Sequence, residues 1–427
     1  MKKYLQNLLA KKAKRLIEKH RPILVALTGS VGKTSTRKTI ATVLSAKYRV
    51  YTPKENYNNE LGVPLAILQA QAPGTSVFAW LRLWLTSPKQ IPQVYVLEYG
   101  IDHPNDMDYL CAIAKPNISV MTAISPVHVE FFRSIEQLVE EKAKLLANTD
   151  PSGCVVLNAD DDRVMGAAGH ANASIVTYGF KQNAQIRALD VDVQTRVDDD
   201  FEPGELFSKI VTHIQTKPDE SVEVVLKNQL GKSAVSSLLA AVAVAKYLGL
   251  TWEEILSTTQ NFMREPGRMN PIPGIKGSLL IDSTYNAAPA SMVEALHVLK
   301  SFVVENEARH MAVLGHMAEL GDQTESEHRM VGMRVAELGI DELIVVGDVA
   351  KTIQQAAIEA GMDASHTESF ATPEEAGRWL DAHVHTGDVV LVKGSQSARM
   401  EKVVKDVMAE PLRASELLVR QYGKWVQ

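Results

Sequence analysis

Apolar positions along the chain fall into short unbroken runs separated by longer stretches of helical spacing. Ile23–Val25, Val94–Leu97, Ile118–Met121, Val155–Leu157 and Ile175–Tyr178 are runs too short for helices, so they read as buried strands. Between them Lys33–Lys47 and Ser134–Asn148 carry helical periodicity. Strands that alternate with helices predict a parallel, doubly wound sheet. From residue 185 to 228 apolar and polar positions alternate around the acidic turn VDDDFEPGE, which predicts antiparallel strands with a solvated hairpin. Two helices follow, Ser233–Leu248 and Trp252–Asn261, and Glu265-Pro266-Gly267-Arg268 then breaks the pattern at a candidate boundary. Beyond it Leu279–Ile281, Ala312–Leu314, Leu343–Val346 and Val389–Val392 alternate with helical stretches near residues 288, 325, 350, 373 and 398. That is a second doubly wound α/β unit.

Composition narrows the classes. Lys plus Arg is 45 and Asp plus Glu is 51, a net charge of -6, so no global basic field points to nucleic acid. Cys111 and Cys154 stand in apolar surroundings and make neither a disulfide framework nor a metal set, which favours a reducing cytoplasm. No apolar run approaches the roughly 18 residues that span a bilayer, and no signal-peptide core is evident, so a cytosolic location is expected. Residues 1–21 form a basic amphipathic helix, with Leu5, Leu9, Leu16 and Ile17 near one face. Weak association with an anionic membrane surface is one reading of it; docking on its own domain is the favoured one. The aromatic stretch Phe78–Leu85 is likewise expected to pack into a core.

The chemistry concentrates after the first strand. Thr28-Gly29-Ser30-Val31-Gly32 is a strand-to-helix turn, and Lys33, Thr34 and Ser35 open the helix. Gly29 and Gly32 allow positive φ and close approach of a ligand, while backbone N–H groups and the helix dipole favour an anion. Lys33 adds a mobile cation for the β and γ phosphates of ATP, and the Thr34 hydroxyl suits Mg²⁺. Residue 27 is Leu where the general P-loop has its first Gly, so this is the shorter form T-G-S-x-G-K-T-S. Glu98 and His128 follow the second and third runs, Val94–Leu97 and Ile118–Met121, at the carboxyl edge where such sheets bind ligands. A plain ATPase switch would not need the second α/β unit.

Several blocks occur in order: Asn58-Asn59-x-x-Gly-x-Pro64, Glu98-x-Gly100, Thr122-x-Ile124-x-x-x-His128-x-Glu130, Asn158-x-Asp160-Asp161, Gly267-Arg268, Tyr285-Asn286-Ala287, and Lys393-Gly-Ser395 with Arg399 and Met400. With the short P-loop, this set resembles the Mur ligase family over about residues 22–410, in particular the branch that adds D-alanyl-D-alanine. The resemblance implies an α/β fold with a basic N-terminal helix over 1–21. A P-loop-type central ATPase domain over 22–267 follows, with a doubly wound sheet plus a small antiparallel sheet, and then a Rossmann-like C-terminal domain over 268–427.

It also implies an ATP-dependent amide ligase working through an acyl phosphate on a peptidoglycan precursor peptide, with D-alanyl-D-alanine or a similar amine as acceptor. Lys33, Glu98, His128 and Lys142 would be catalytic. Residues 28–35 (Thr28, Gly29, Ser30, Val31, Gly32, Lys33, Thr34 and Ser35), with Arg268 and Asn286, would hold ATP. Thr34, Glu98, His128 and Lys142 would serve two Mg²⁺ ions. Lys142, fourteen residues after His128, stands where the family carries a carbamylated lysine, with Lys144 as the competing choice. Asn58, Asn59, Lys393, Ser395 and Arg399 would meet substrate, and the protein is expected to be a monomer. Three departures bear on specificity. Only residues 1–21 precede the P-loop strand, where the family has a UDP-sugar-binding domain; Ala234, Ser237 and Ser283 replace polar residues near the nucleotide; and Ile101-Asp102 and His316 differ near the acceptor. A ligase for a glutamate chain or folate-type tail, and a non-catalytic homologue, are the alternatives.

Overall fold

The computed structural model describes residues 2–53, 57–72, 76–125, 132, 134–195, 208–218, 220–227, 229–262, 265–305, 307–422 and 425. The chain divides into two compact units, one of residues 1–190, 212–224 and 233–262, the other of 191–211, 225–232 and 263–427. The predicted acidic turn around residue 200 lies outside the described residues.

The first sheet contains β1 (Ile23–Thr28), β2 (Val50–Tyr51), β3 (Val94–Glu98), β4 (Ile118–Met121), β5 (Cys154–Asn158), β6 (Ser174–Gly179), β7 (Ile186–Ala188), β8 (Asp192–Thr195), β9 (Ser208–Lys217) and β10 (Glu220–Lys227). Their order is β10-β9-β7-β6-β5-β4-β1-β3-β2, with β8 paired to β9. From β6 to β2 all pairs are parallel, whereas β9 runs antiparallel to β7 and β8. The antiparallel strands therefore extend the main sheet through β7 rather than forming a separate one. β1 lies between β3 and β4, and the chain leaves it toward β2 on one side and returns to β4 on the other. The loop after β1 thus occupies the topological switch point, where the strand ends open a crevice.

Helices α1 (Lys2–His20), α2 (Lys33–Leu44), α3 (Gly62–Ile67), α4 (Val77–Leu85), α5 (Asp106–Ile113), α6 (Ile135–Ala147), α7 (Asp162–Gly166), α8 (Lys232–Tyr247) and α9 (Trp252–Leu256) accompany this sheet. Alternation in the strands sends Leu24, Ala26, Tyr95 and Leu97 to one core together with Leu9 and Ala13 of α1, Leu65 of α3 and Leu110 of α5. The N-terminal helix is therefore docked on its own unit, as its apolar stripe predicts. Met121, Val155 and Leu157 pack with Ala143 and Leu146 of α6 in another cluster. Cys111 and Cys154 are both buried, which pushes their thiols up to about 12 and about 11.

One expectation holds only in part. Helix α4 packs into the core on one side only: Leu83 is buried there and Trp80 packs against the same cluster, while Phe78 and Leu85 are 85% and 75% exposed. Its nine residues are apolar except for Arg82, so periodicity gives no polar face by which to orient it.

The second unit has β11 (Asn270–Pro273), β12 (Leu279–Ser283), β13 (His310–Gly315), β14 (Glu342–Val346), β15 (Thr367–Phe370) and β16 (Val389–Lys393) in the order β11-β12-β16-β13-β14-β15. Only the edge strand β11 is antiparallel. Helices α10 (Pro289–Ser301), α11 (Thr324–Glu337), α12 (Lys351–Glu359), α13 (Pro373–His383), α14 (Glu401–Val407) and α15 (Ala414–Leu417) accompany it. Leu279, Ile281, Leu314 and Leu391 face one apolar cluster and Leu280, Val313, Ile344 and Val392 the other, so the sheet is buried on both faces.

Candidate functional site

The loop after β1 is shaped by its two glycines. Gly29 has φ +144° and a Cβ there would lie 2.1 Å from Thr122 Oγ1, so no larger residue fits without moving β4's end. Gly32 has φ 85° and starts α2 in the left-handed conformation with no side-chain cap. By contrast Ser134, Asp161, Thr251 and Thr372 cap α6, α7, α9 and α13 with their side chains. An uncapped helix start with a glycine approach is the arrangement that takes a phosphate. The loop is pinned from β4: Ser30 N–H donates to Ala123 O at 2.6 Å, Ser30 Oγ to Ser125 O at 3.0 Å, and Thr122 Oγ1 to Val31 O at 2.7 Å.

Two lysines converge on this loop. Lys33 Nζ donates to Gly29 O at 2.6 Å and to Ser30 O at 3.3 Å, and Lys142 Nζ from α6 reaches the same Gly29 O at 3.2 Å. Lys142 is only 3% exposed, and burial, reinforced by the neighbouring Lys33 charge, lowers its pKa well below the ordinary lysine value. Lys144 is in a different situation. It pairs with Asp108 and Glu141, each at 2.8 Å; its partial burial is outweighed by those bonds, and its pKa is raised. Of the two competing lysines, Lys142 is the one beside the glycine turn and disposed to be a neutral amine.

Glu98, at the end of β3, is 3% exposed, and its Oε1 accepts from Arg37 Nε of α2 at 2.8 Å. Arg37 also donates to Thr52 Oγ1 and Pro53 O. This buried pair ties α2 to the strand ends, and no sequence signal announced it because the partners are 61 residues apart. Asn59 Oδ1 accepts from the N–H groups of Leu61 and Gly62 and so shapes the start of α3. Asn58 holds Gly100 N–H through its own carbonyl at 2.8 Å. His128 lies outside the described residues. Among the described residues no group of three or more His, Cys, Asp or Glu is arranged to hold a metal ion. The donors at hand for Mg²⁺ are the Thr34 hydroxyl and the Glu98 carboxylate, oxygen ligands of the kind that ion takes.

Asn158, Asp160 and Asp161 follow β5. Asp161 caps α7 and accepts from Ile124 N–H at 2.7 Å, while Asp160 accepts from the N–H groups of Phe180 and Lys181 at 2.9 Å. With Ala123, Asp162 and Arg163 they line a cavity of 630 Å³.

In the second unit, Lys393 ends β16. Its Nζ donates to Ser283 Oγ at 3.1 Å and Asn286 O at 2.9 Å, and burial lowers its pKa to about 8. The guanidinium of Arg268 stacks over the Tyr285 ring, 4.0 Å from its centroid. Asp282, fully buried, accepts from Gly267 N–H at 2.8 Å and Thr284 Oγ1 at 2.6 Å; burial raises its pKa to about 6. Ser395 Oγ pairs with Ser397 Oγ, which also meets His316 Nε2. Arg399 is occupied internally: Nε binds Glu401 Oε1 at 2.6 Å and Nη2 binds Trp425 O at 2.7 Å. Glu401 takes Arg420 on its other oxygen at 2.9 Å, and Arg420 also donates to the carbonyls of Thr284 and Tyr285. Thus Arg268, Tyr285, Asn286 and Lys393 come together, while Arg399 is drawn toward the C-terminal residues.

The profile of the Mur ligase middle domain matches residues 27–245, slightly more than half of the chain. The chain belongs to the Mur ligase family. A second profile, the Mur ligase glutamate ligase domain, matches residues 267–396. Curated Mur ligase relatives include the UDP-N-acetylmuramoyl-tripeptide–D-alanyl-D-alanine ligase of Synechocystis, 30% identical over 91% of this chain and 75% of its own. The Escherichia coli enzyme of the same name is 29% identical over 90% of this chain and 76% of its own. Among solved Mur ligases, MurF from Acinetobacter baumannii superposes with a TM-score of 0.77 at 26% identity, covering 94% of this chain and 79% of its own.

Proposed function

We propose that this Mur ligase is an ATP-dependent amide ligase that joins D-alanyl-D-alanine, or a closely similar amine, to the free carboxylate of a peptidoglycan precursor peptide. The observation that carries the reading is the convergence of Lys33 and Lys142 on the carbonyl of Gly29 at an uncapped helix start. A polyanion placed there meets a cation, a helix N-terminus and backbone that glycine leaves open. Substrate carboxylate oxygen attacks the γ-phosphorus, the bond to ADP breaks, and an acyl phosphate results. The amine then attacks the acyl carbon, phosphate leaves with the electron pair, and the nitrogen releases a proton. Both steps build negative charge on oxygen, which Lys33 is placed to stabilise.

Thr34 and Glu98, with His128, are the residues that would hold Mg²⁺, which neutralises phosphate charge when bound. A neutral Lys142 amine adds CO₂ and loses a proton, leaving a carbamate anion in place of an ammonium. That sign is the useful one beside a divalent cation. Lys393, with Arg268 and Asn286, serves the nucleotide and acceptor side, and Asn58, Asn59, Ser395 and Arg399 are the remaining substrate candidates. No helix of the described residues is long and apolar enough to cross a membrane. The reading places the enzyme in the cytoplasm, where ATP is made, as a monomer. The test is phosphate release by purified protein with paired acids and amines. Release that needs both a UDP-linked tripeptide and D-alanyl-D-alanine is expected. Release only with glutamate and a folate-type acceptor would move the substrate assignment, and ATP hydrolysis uncoupled from any pair would overturn the ligase reading.

A further inference from the structure

Helix α4 is apolar except for Arg82, and beyond its buried Leu83 it lies open: Phe78 is 85% exposed, Leu85 75%, Leu81 53% and Trp84 44%. Such a contiguous patch on a surface helix marks a contact with something apolar. α4 is not a loose appendage, because Lys12 of α1 donates to the carbonyls of Leu83 at 2.7 Å, Trp84 at 2.8 Å and Thr86 at its C-terminal end. Arg15 and Lys19 follow Lys12 by three and seven positions, which puts them on the same flank of α1, and both are exposed. Lys89, just beyond α4, is exposed as well. Residues 1–21 hold eight Lys or Arg against one Glu in a chain whose net charge is -6. An apolar helix and a basic flank therefore adjoin on a protein that is otherwise acidic.

We propose that α4 and the adjoining flank of α1 dock on an anionic lipid bilayer. α4 lies in the plane of the interface with Phe78, Leu81 and Leu85 at the acyl boundary and Trp84 at headgroup depth. Arg15, Lys19 and Lys89 meet the phosphates. Arg82 helps to choose this occupant. It projects among the exposed apolar residues, and in a bilayer its long stem follows the apolar layer while the guanidinium reaches the headgroups. In a dry protein groove the same charge would need a buried acid. A second copy is a poor partner, since a two-fold contact through α4 sets Arg82, Lys89 and the α1 cations against their own images. The proposal does not rest on the ligase reading, since none of these residues belongs to the phosphate loop.

Co-sedimentation of the full chain with phosphatidylglycerol-containing vesicles and with pure phosphatidylcholine vesicles tests it. Binding to the anionic vesicles is expected, at least about tenfold weaker on the neutral ones and reduced by added salt. Phe78→Ser with Leu85→Ser should lower binding by at least about tenfold, and Arg15→Glu with Lys19→Glu should remove the preference for anionic lipid. Both pairs are exposed, so melting temperature and vesicle-free ATP hydrolysis should match wild type. No binding to anionic vesicles, or binding that both pairs leave unchanged, overturns the proposal. A concentration-dependent dimer in light scattering that Phe78→Ser with Leu85→Ser abolishes, without lipid binding, reassigns the face to self-association and overturns it too.

Discussion

The two units are built alike, from parallel strands buried on both faces, yet their strand ends are closed in opposite ways. In the first, β1 runs into a glycine turn, α2 starts without a side-chain cap, and Lys33 and Lys142 point at a single carbonyl. In the second, the turn after β16 satisfies itself, with Arg399 and Arg420 sharing Glu401 and Lys393 held by Ser283 and Asn286. The first edge thus gathers the Lys33 ammonium and the Lys142 amine at the positive end of a helix, whereas the second sets a carboxylate between two guanidiniums. The architecture is therefore neutral about chemistry. What differs between the units is the kind of charge that each chain gathers at its carboxyl edge.

Substitutions should separate the two kinds of end. Lys33→Ala is expected to lower turnover by about a thousandfold, ~4 kcal/mol of transition-state stabilisation, while circular dichroism and melting stay as in wild type. Retention of activity within about tenfold would remove the loop from the chemistry. Glu401→Gln should do the reverse, costing about 3 kcal/mol of stability because two guanidiniums lose their shared carboxylate; urea unfolding followed by fluorescence checks it. Lys142→Ala should slow turnover by about a hundredfold, with partial rescue by a small carboxylate, and Lys144→Ala should remain near wild type. If Lys144→Ala is the slow variant instead, the buried lysine is not the carbamate.

The smallest effect concerns pH. Lys393 is protonated below about 8 and loses its positive charge above it, so activity should fall as pH climbs through that value. Lys393→Arg, which stays charged, should flatten the limb. The stability sign is opposite. A lysine whose folded pKa lies below 10.5 binds fewer protons than the unfolded chain between about 8 and 10.5, so its contribution to stability improves as pH rises across that window. A turnover profile without a limb near 8 would leave Lys393 a purely structural cation.

Much of this was legible in the residues themselves. β1, β3, β4, β5, β12, β13, β14 and β16 coincide with short apolar runs, because strands buried on both faces need no alternation, and β6 coincides with one although Ile175 at its start is exposed. The turn between β1 and α2 was legible because Gly29 and Gly32 mark the positive φ that it takes. The exposure of α4 was not, since a helix whose one polar residue is Arg82 shows little of which face is solvated. Nor was the pairing of Arg37 with Glu98, of Arg399 and Arg420 with Glu401, or of Gly267 with Asp282, where partners distant in sequence meet only after folding. The block Asn58-Asn59 through Pro64 gave no sign of a helix, yet Asn59 shapes the start of α3 within it.

The two thiols supply an unfolding clock. Cys111 on α5 and Cys154 on β5 are the chain's only cysteines, both in the first unit, buried and with thiols pushed far above neutral pH. A native thiol of that kind reacts with an alkylating reagent only when its surroundings open. The labelling rate therefore counts openings of the nucleotide-loop unit alone, with the other unit silent. An ATP analogue that binds the loop should slow that clock in proportion to its occupancy, which converts a packing detail into a binding assay that needs no turnover.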